Sequence, residues 1–167
     1  MHLVLRVQGN QLWVDEKIYP CAIGKSGFSK NKKEGDGGTP VGVFPLRECW
    51  YRADRMPAPQ TALHLRVIGK DDGWCDDPNS PDYNRHIKRP YAFSHEALWR
   101  DDHAYDVIVP LGYNDNPVIF GKGSAIFLHV AKGGYTPTEG CVALALPDLL
   151  AVLSQLAVPA FIEINGD

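Results

Sequence analysis

The feature that most restricts the fold is a helical hydrophobic period that occurs once along the chain. Leu149, Val152, Leu153 and Leu156 recur at i, i+3, i+4 and i+7, and Pro147 stands where a first helical turn tolerates a missing donor. Elsewhere apolar residues come in short, mostly alternating runs broken by turn residues, the pattern of strands. Leu3, Leu5 and Val7 alternate with Val4 and Arg6, residues 8–11 supply a turn, and residues 12–14 and 17–23 continue a meander. Further strands are expected at 41–47, 61–68, 105–109, on the approach to His129 and at 158–164, where Pro159 sits at the start. In 61–68, Leu63, Leu65 and Val67 are expected on one face, with His64 and Arg66 on the other. Residues 94–100 open on a capping Ser94 followed by helix formers and predict a short helical turn. The class is therefore mostly β, a sandwich or partly open barrel with one principal helix after Cys141. At 167 residues the chain suits one domain over 1–167, with the hairpin region 1–23 packed on it.

Chemistry concentrates between Phe127 and Leu144, where an imidazole, His129, and a thiol, Cys141, flank a loop rich in Gly, Thr and Pro. A thiol attacks carbonyls as the thiolate, and a nearby imidazole takes its proton, so Cys and His in one cleft suit acyl transfer. Gly140 permits the sharp turn that lets successive N–H groups near Cys141 point at one spot, as an oxyanion site requires. On spacing alone an inert, buried thiol is the commoner outcome.

The wording around the pair is more specific. Ile126-Phe-Leu-His129, a glycine loop, then Thr138-Glu139-Gly140-Cys141-Val142 running into an apolar helix, resembles the catalytic motif of the L,D-transpeptidases of the YkuD family. These are cysteine enzymes that cross-link bacterial peptidoglycan. Glu34-Gly35-Asp36-Gly37-Gly38-Thr39-Pro40-Val41-Gly42 resembles the family's EGD-x-x-TP-x-G loop, and residues 121–127 resemble its lead-in to the His, so the likeness runs over about 24–164. Two positions depart from it: Glu139 where many members carry a second His, and Ala143 where they carry Asn. The resemblance implies a peptidoglycan transpeptidase of cell-wall biogenesis and cell shape, working through a Cys141 thioester with His129 as base and no cofactor. Its partners would be stem peptides as acyl donor and amine acceptor, and its compartment the periplasm or cell envelope. Water as acceptor would give an L,D-carboxypeptidase or endopeptidase, and an inert Cys141 a wall-binding module.

The polar stretch 70–90, carrying Trp74, Tyr83 and both charge signs, reads as a long loop, and such loops usually bind something. It also resembles a W-C-x-D-P…Y-N family segment, which makes Tyr83, Asn84 and Arg85 candidate contacts on a substrate-cleft wall, beside Thr138 and Glu139. Asp76, Asp77 and Asp82 lack EF-hand spacing, and no paired His or Cys supports zinc. Residues 24–40, with five Gly and four Lys, read as a mobile basic loop whose lysines either solvate or meet substrate carboxylates. Glu139 is either a solvated carboxylate or a group that attracts the acceptor ammonium or tunes His129. His95 and His103 read as surface residues, and His86 belongs to the long loop.

A net charge of −3 gives no global basic field for nucleic acid. No apolar run approaches the roughly 20 residues of a membrane span, and residues 1–7 are too short for a signal peptide's apolar region, at odds with an envelope address. A monomer is expected. Of Cys21, Cys49, Cys75 and Cys141, free thiols are expected, with a Cys49–Cys75 or Cys21–Cys49 bridge as the alternative.

Overall fold

The computed structural model describes residues 4–166, so Leu3 of the expected first strand lies outside the described residues. One sheet contains β1 (Val4–Gln8), β2 (Gln11–Val14), β3 (Lys17–Pro20), β6 (Gly42–Pro45) and β15 (Phe161–Ile164), in the order β3-β2-β1-β15-β6. A second contains β7 (Cys49–Tyr51), β8 (Leu65–Val67), β12 (Val107–Pro110), β13 (Phe127–Val130) and β14 (Val142–Leu144), in the order β14-β13-β12-β7-β8. A small third sheet joins β9 (Asp72–Cys75) to β10 (His86–Lys88) and β11 (His95–Ala97), and β4 (Phe28–Ser29) pairs with β5 (Thr39–Pro40). Helix α1 spans Leu146–Ser154. Among the described residues the fold is mostly β with one α-helix and sheets that do not close, in keeping with the hydrophobic periods of the sequence.

Strand alternation sorts the second sheet into two faces. Val107, Val109, Leu128, Val130, Val142 and Leu144 point into the main core, where they meet Leu5, Val7, Ile162 and the α1 stripe of Leu149, Val152 and Leu153. Full burial of such a Leu or Val contributes roughly 1.5–3 kcal/mol. The alternate residues Ile108, Phe127 and Cys141 face a second cluster with Trp50, Leu98 and Tyr105. One strand pair thus presents its apolar set to the core and its chemistry to the other side.

Four expectations need correction. Residues 94–100 form no helical turn: His95–Ala97 is a strand, because its backbone pairs with Cys75, Trp74 and Gly73, and ladder bonds override local helix preference. The stretch 70–90 is no long loop, since it supplies β9 and β10. Gly73 allows this, because a Cβ there would lie 2.8 Å from Ile87 Cδ1 and 2.9 Å from the Glu96 carbonyl oxygen. Residues 24–40 are built rather than free. Lys32 is 6% exposed, its Nζ lies 2.6 Å from Asp36 Oδ1, and the Thr39 hydroxyl accepts the Gly24 N–H at 2.8 Å. In 61–68 only Leu65–Val67 is strand. Leu63 and Ile68 are buried while Val67 is 55% exposed, because β8 is the sheet's outermost strand and leaves that side uncovered. The four cysteines are all buried and free.

Candidate active site

Strands β13 and β14 run parallel with Leu128 opposite Val142 and His129 opposite Ala143. Continuing that register sets Cys141 opposite Phe127, so Cys141 and His129 lie diagonally on one face, two rungs apart. Both line a cavity of about 460 Å³.

His129 is buried, and its Nδ1 lies 2.9 Å from the Val130 carbonyl oxygen. A carbonyl only accepts, so Nδ1 carries the proton and Nε2 keeps a free lone pair. Burial, seconded by the positive charges of Arg100 and Lys132, depresses its pKa to about 4. The Tyr105 ring stands edge-on at 5.5 Å and fixes the imidazole plane.

The thiol occupies a niche of its own. Cys141 Sγ donates to the Ala125 carbonyl at 3.2 Å and accepts the Phe127 N–H at 3.3 Å. Its resting hydrogen bond therefore goes to backbone rather than to the imidazole. Burial pushes its pKa up to about 12, against the pull of the Phe127 N–H. At neutral pH the pair rests as neutral thiol and neutral imidazole, so the proton must move when substrate arrives.

Ala125 has φ 53°, a left-handed conformation uncommon for a residue with a Cβ. It is held there by Asn84, whose Oδ1 accepts the Ala125 N–H at 3.0 Å and the Trp74 indole N–H at 3.0 Å. Asn84 Nδ2 donates to the carbonyls of Tyr113 at 3.1 Å and Asn114 at 2.8 Å. Tyr83, fully buried, donates to Glu34 Oε1 at 2.7 Å and accepts the Gly123 N–H at 2.9 Å. None of the expected contacts at 83–85 lines the cavity that holds Cys141 and His129. Tyr83 and Asn84 buttress the segment behind the thiol, and Asn84 and Arg85 line a different cavity.

The loop before the thiol is bound to itself. Thr138 Oγ1 donates to the Cys141 carbonyl at 2.7 Å and accepts the Gly140 N–H at 3.1 Å. That engages both the hydroxyl and the amide that an oxyanion site at Gly140 would use. Gly140 has φ 141°, and a Cβ there would sit 2.8 Å from the Gly38 carbonyl oxygen, so no other residue fits. Glu139 is at the rim, 2.9 Å from Lys25 Nζ, with both side chains largely solvated. This joins the 24–40 segment to the loop before Cys141.

Charge lines the remaining wall. Glu34, Asp76 and Glu96 stand on it together with Arg100 and Lys132. Tyr105 donates to Glu96 Oε1 at 2.6 Å. Burial, with Asp76 and Glu34 adding, raises the Glu96 carboxyl above its ordinary range. Sequence reasoning missed this group: Glu96 and Arg100 lay in the supposed helical turn, and Glu34 was read only as part of a loop motif. No group of three or more His, Cys, Asp or Glu among the described residues is arranged to hold a metal ion.

The model of the YkuD L,D-transpeptidase catalytic domain matches residues 2–164. The chain belongs to that family. A comparison with curated proteins returns no match. Among solved structures, L,D-transpeptidase 1 of Mycobacterium tuberculosis is 13% identical with a TM-score of 0.45, the match covering 99% of this chain and 60% of that one. The helical cell shape determining protein Pgp2 of Campylobacter jejuni is 15% identical at a TM-score of 0.47, covering 99% and 47%. An L,D-transpeptidase of Mycobacterium smegmatis is 12% identical at 0.43, covering 98% and 58%. This YkuD-family chain thus spans about half to three-fifths of the length of those proteins, and its membership rests on the family model. Among the described residues no helix is long and apolar enough to cross a membrane.

Proposed function

We propose that this YkuD-family chain, acting as one catalytic domain over 1–167, is a cysteine L,D-transpeptidase that cross-links peptidoglycan stem peptides in the cell envelope and so bears on cell shape. The observation that carries the reading is the shared face of β13 and β14. It puts the thiol and an imidazole with a free Nε2 into one cavity lined by charges of both signs.

Substrate entry draws the Cys141 S–H off the Ala125 carbonyl, and its proton passes to His129 Nε2 as sulfur attacks the stem-peptide carbonyl. The Cys141 amide is the N–H of this loop left for the oxyanion, since Thr138 holds that of Gly140; one such donor is typically worth about 3 kcal/mol. Collapse breaks the C–N bond, the imidazolium protonates the departing amine of the terminal D-amino acid, and a thioester remains. The amine of a second stem then attacks, His129 takes its proton, and the S–C bond breaks with return of the proton to sulfur. A depressed imidazole pKa suits this cycle, because the base is unprotonated at pH 7 and readily gives the proton up.

Product analysis tests the proposal. Purified muropeptides incubated with the chain should yield dimers by mass spectrometry, and Cys141→Ala should yield none with its fold intact. Trimmed monomers in place of dimers would reassign the acceptor to water, and cross-linking by the variant would remove Cys141 from the mechanism.

A further inference from the structure

A second cavity of about 300 Å³ shares only Ile126 with the catalytic one. Its apolar surface comes from Trp50, Trp74, Leu111 and Phe127, and three guanidinium groups approach it, those of Arg47, Arg66 and Arg85. Two of these are already engaged. Arg47 Nε and Nη2 each lie 3.0 Å from Asp115 carboxylate oxygens. Arg66 stacks 4.0 Å over the Trp50 ring, with Nε 3.4 Å from Glu48 Oε2. His86, also on the wall, is tied through Nε2 to Asp72 at 2.7 Å. Arg85 is different: among the described residues its side chain makes no ion pair and no hydrogen bond, although sequence reasoning had singled it out as a ligand contact. One acceptor also lacks a hydrogen bond: Glu48 Oε2 is buried from water and, although Arg66 Nε lies 3.4 Å away as an ion pair, it accepts none.

We propose that this cavity is a binding site, separate from the catalytic one, for a ligand with a carboxylate beside an N–H donor and an apolar body, the chemistry of a peptide C-terminus. The carboxylate meets Arg85, since guanidinium is the fork that matches it. The N–H meets Glu48 Oε2, adding a hydrogen bond to a buried atom that otherwise has only an ion-pair contact. The apolar part lies on Trp74 and Leu111. A phosphate dianion does not suit the site, because Glu48 and Asp115 would repel it while one free cation attracts it. Unlike the catalytic cavity, this one has no thiol in its lining, so it binds without forming a thioester.

The test uses the dipeptide alanylalanine in L,L and D,D forms, titrated into the full chain while the indole N–H resonances of Trp50 and Trp74 are followed by NMR. Saturable shifts of those two signals are expected with at least one form. Arg85→Gln, an exposed position whose loss leaves the fold alone, should weaken binding roughly tenfold or more. Lys132→Gln, in the catalytic cavity, should leave the affinity unchanged. Alanylalanine amide, which lacks the carboxylate, should bind as weakly as alanylalanine binds the Arg85 variant. The proposal is overturned by an absence of saturable shifts with both dipeptides at tens of millimolar. It is overturned equally by full affinity in Arg85→Gln, by equal binding of the amide, or by loss of affinity in Lys132→Gln.

Discussion

Asn84 offers the sharpest test of how the nucleophile is seated. Its backbone has φ 57°, so replacement by Gly keeps the conformation and removes only the side chain. Asn84→Gly strands two donors, the Ala125 N–H and the Trp74 indole N–H, and leaves two carbonyls, of Tyr113 and Asn114, without this partner. A buried donor without a partner costs about 1–3 kcal/mol, so the two together set a loss of roughly 2–6 kcal/mol. The accepted bond also holds Ala125 in its left-handed conformation, and release lets that residue relax and turn its carbonyl away from Cys141 Sγ. Two readouts follow. Urea unfolding should show the stability loss, a large fraction of the roughly 5–15 kcal/mol of an ordinary domain. Iodoacetamide alkylation of Cys141 should change in rate by several-fold or more, because its hydrogen-bond acceptor has moved. A loss below about 1 kcal/mol together with an unchanged alkylation rate would refute the argument that Asn84 holds the thiol's seat.

Other outcomes follow from the same geometry. Because burial raises the Cys141 pKa to about 12, its alkylation should climb about tenfold per pH unit between roughly pH 7 and 10; a plateau below pH 8 would contradict the neutral resting pair. His129 has its folded pKa depressed from 6.5 to about 4. Its contribution to stability is therefore present above 6.5 and lost as pH falls towards 4, a decline of about 3 kcal/mol that His129→Gln should lack in pH-dependent denaturation. Gly140→Ala puts a Cβ 2.8 Å from the Gly38 carbonyl at φ 141°, and should lose more than about 1 kcal/mol in thermal unfolding along with most muropeptide turnover. Glu139→Gln breaks only a solvated pair with Lys25, so stability should change by less than about 0.5 kcal/mol; an effect confined to the amine acceptor's KM would assign Glu139 to acceptor binding.

Periodicity revealed much of the scaffold. The single helical stripe of Leu149, Val152 and Leu153 and the alternation around Leu5 and Val7 lie where the pattern indicates, because burying one face imposes a period on side chains, while Leu156 is buried just beyond the helix, which ends at Ser154. His129 and Cys141 were legible through their residue types and the motif around them. What escaped notice belongs to backbone or to long-range pairing. The Val130 and Ala125 carbonyls orient the imidazole and the thiol, and no side-chain pattern encodes a carbonyl's direction. The β9–β11 sheet is polar and built around Gly73, so its strands carry no alternation to read. Lys32 looked like one of a solvated run, and its burial rests on the Asp36 carboxylate, four residues on, with the Lys33 carbonyl 3.2 Å from its Nζ. Tyr83 and Asn84 stood out by their polarity, and that polarity serves buried hydrogen bonds whose partners, Glu34 and Ala125, lie far away in the sequence.

The proposed chemistry turns on sulfur as the atom that carries the acyl group. Intact-protein mass spectrometry after brief exposure to a tetrapeptide-stem muropeptide measures this directly. It should show an adduct equal to the stem less its terminal amino acid, mapped to the peptide containing Cys141 and absent from Cys141→Ala. Product formation without any adduct on Cys141, or the same adduct on the variant, would contradict it.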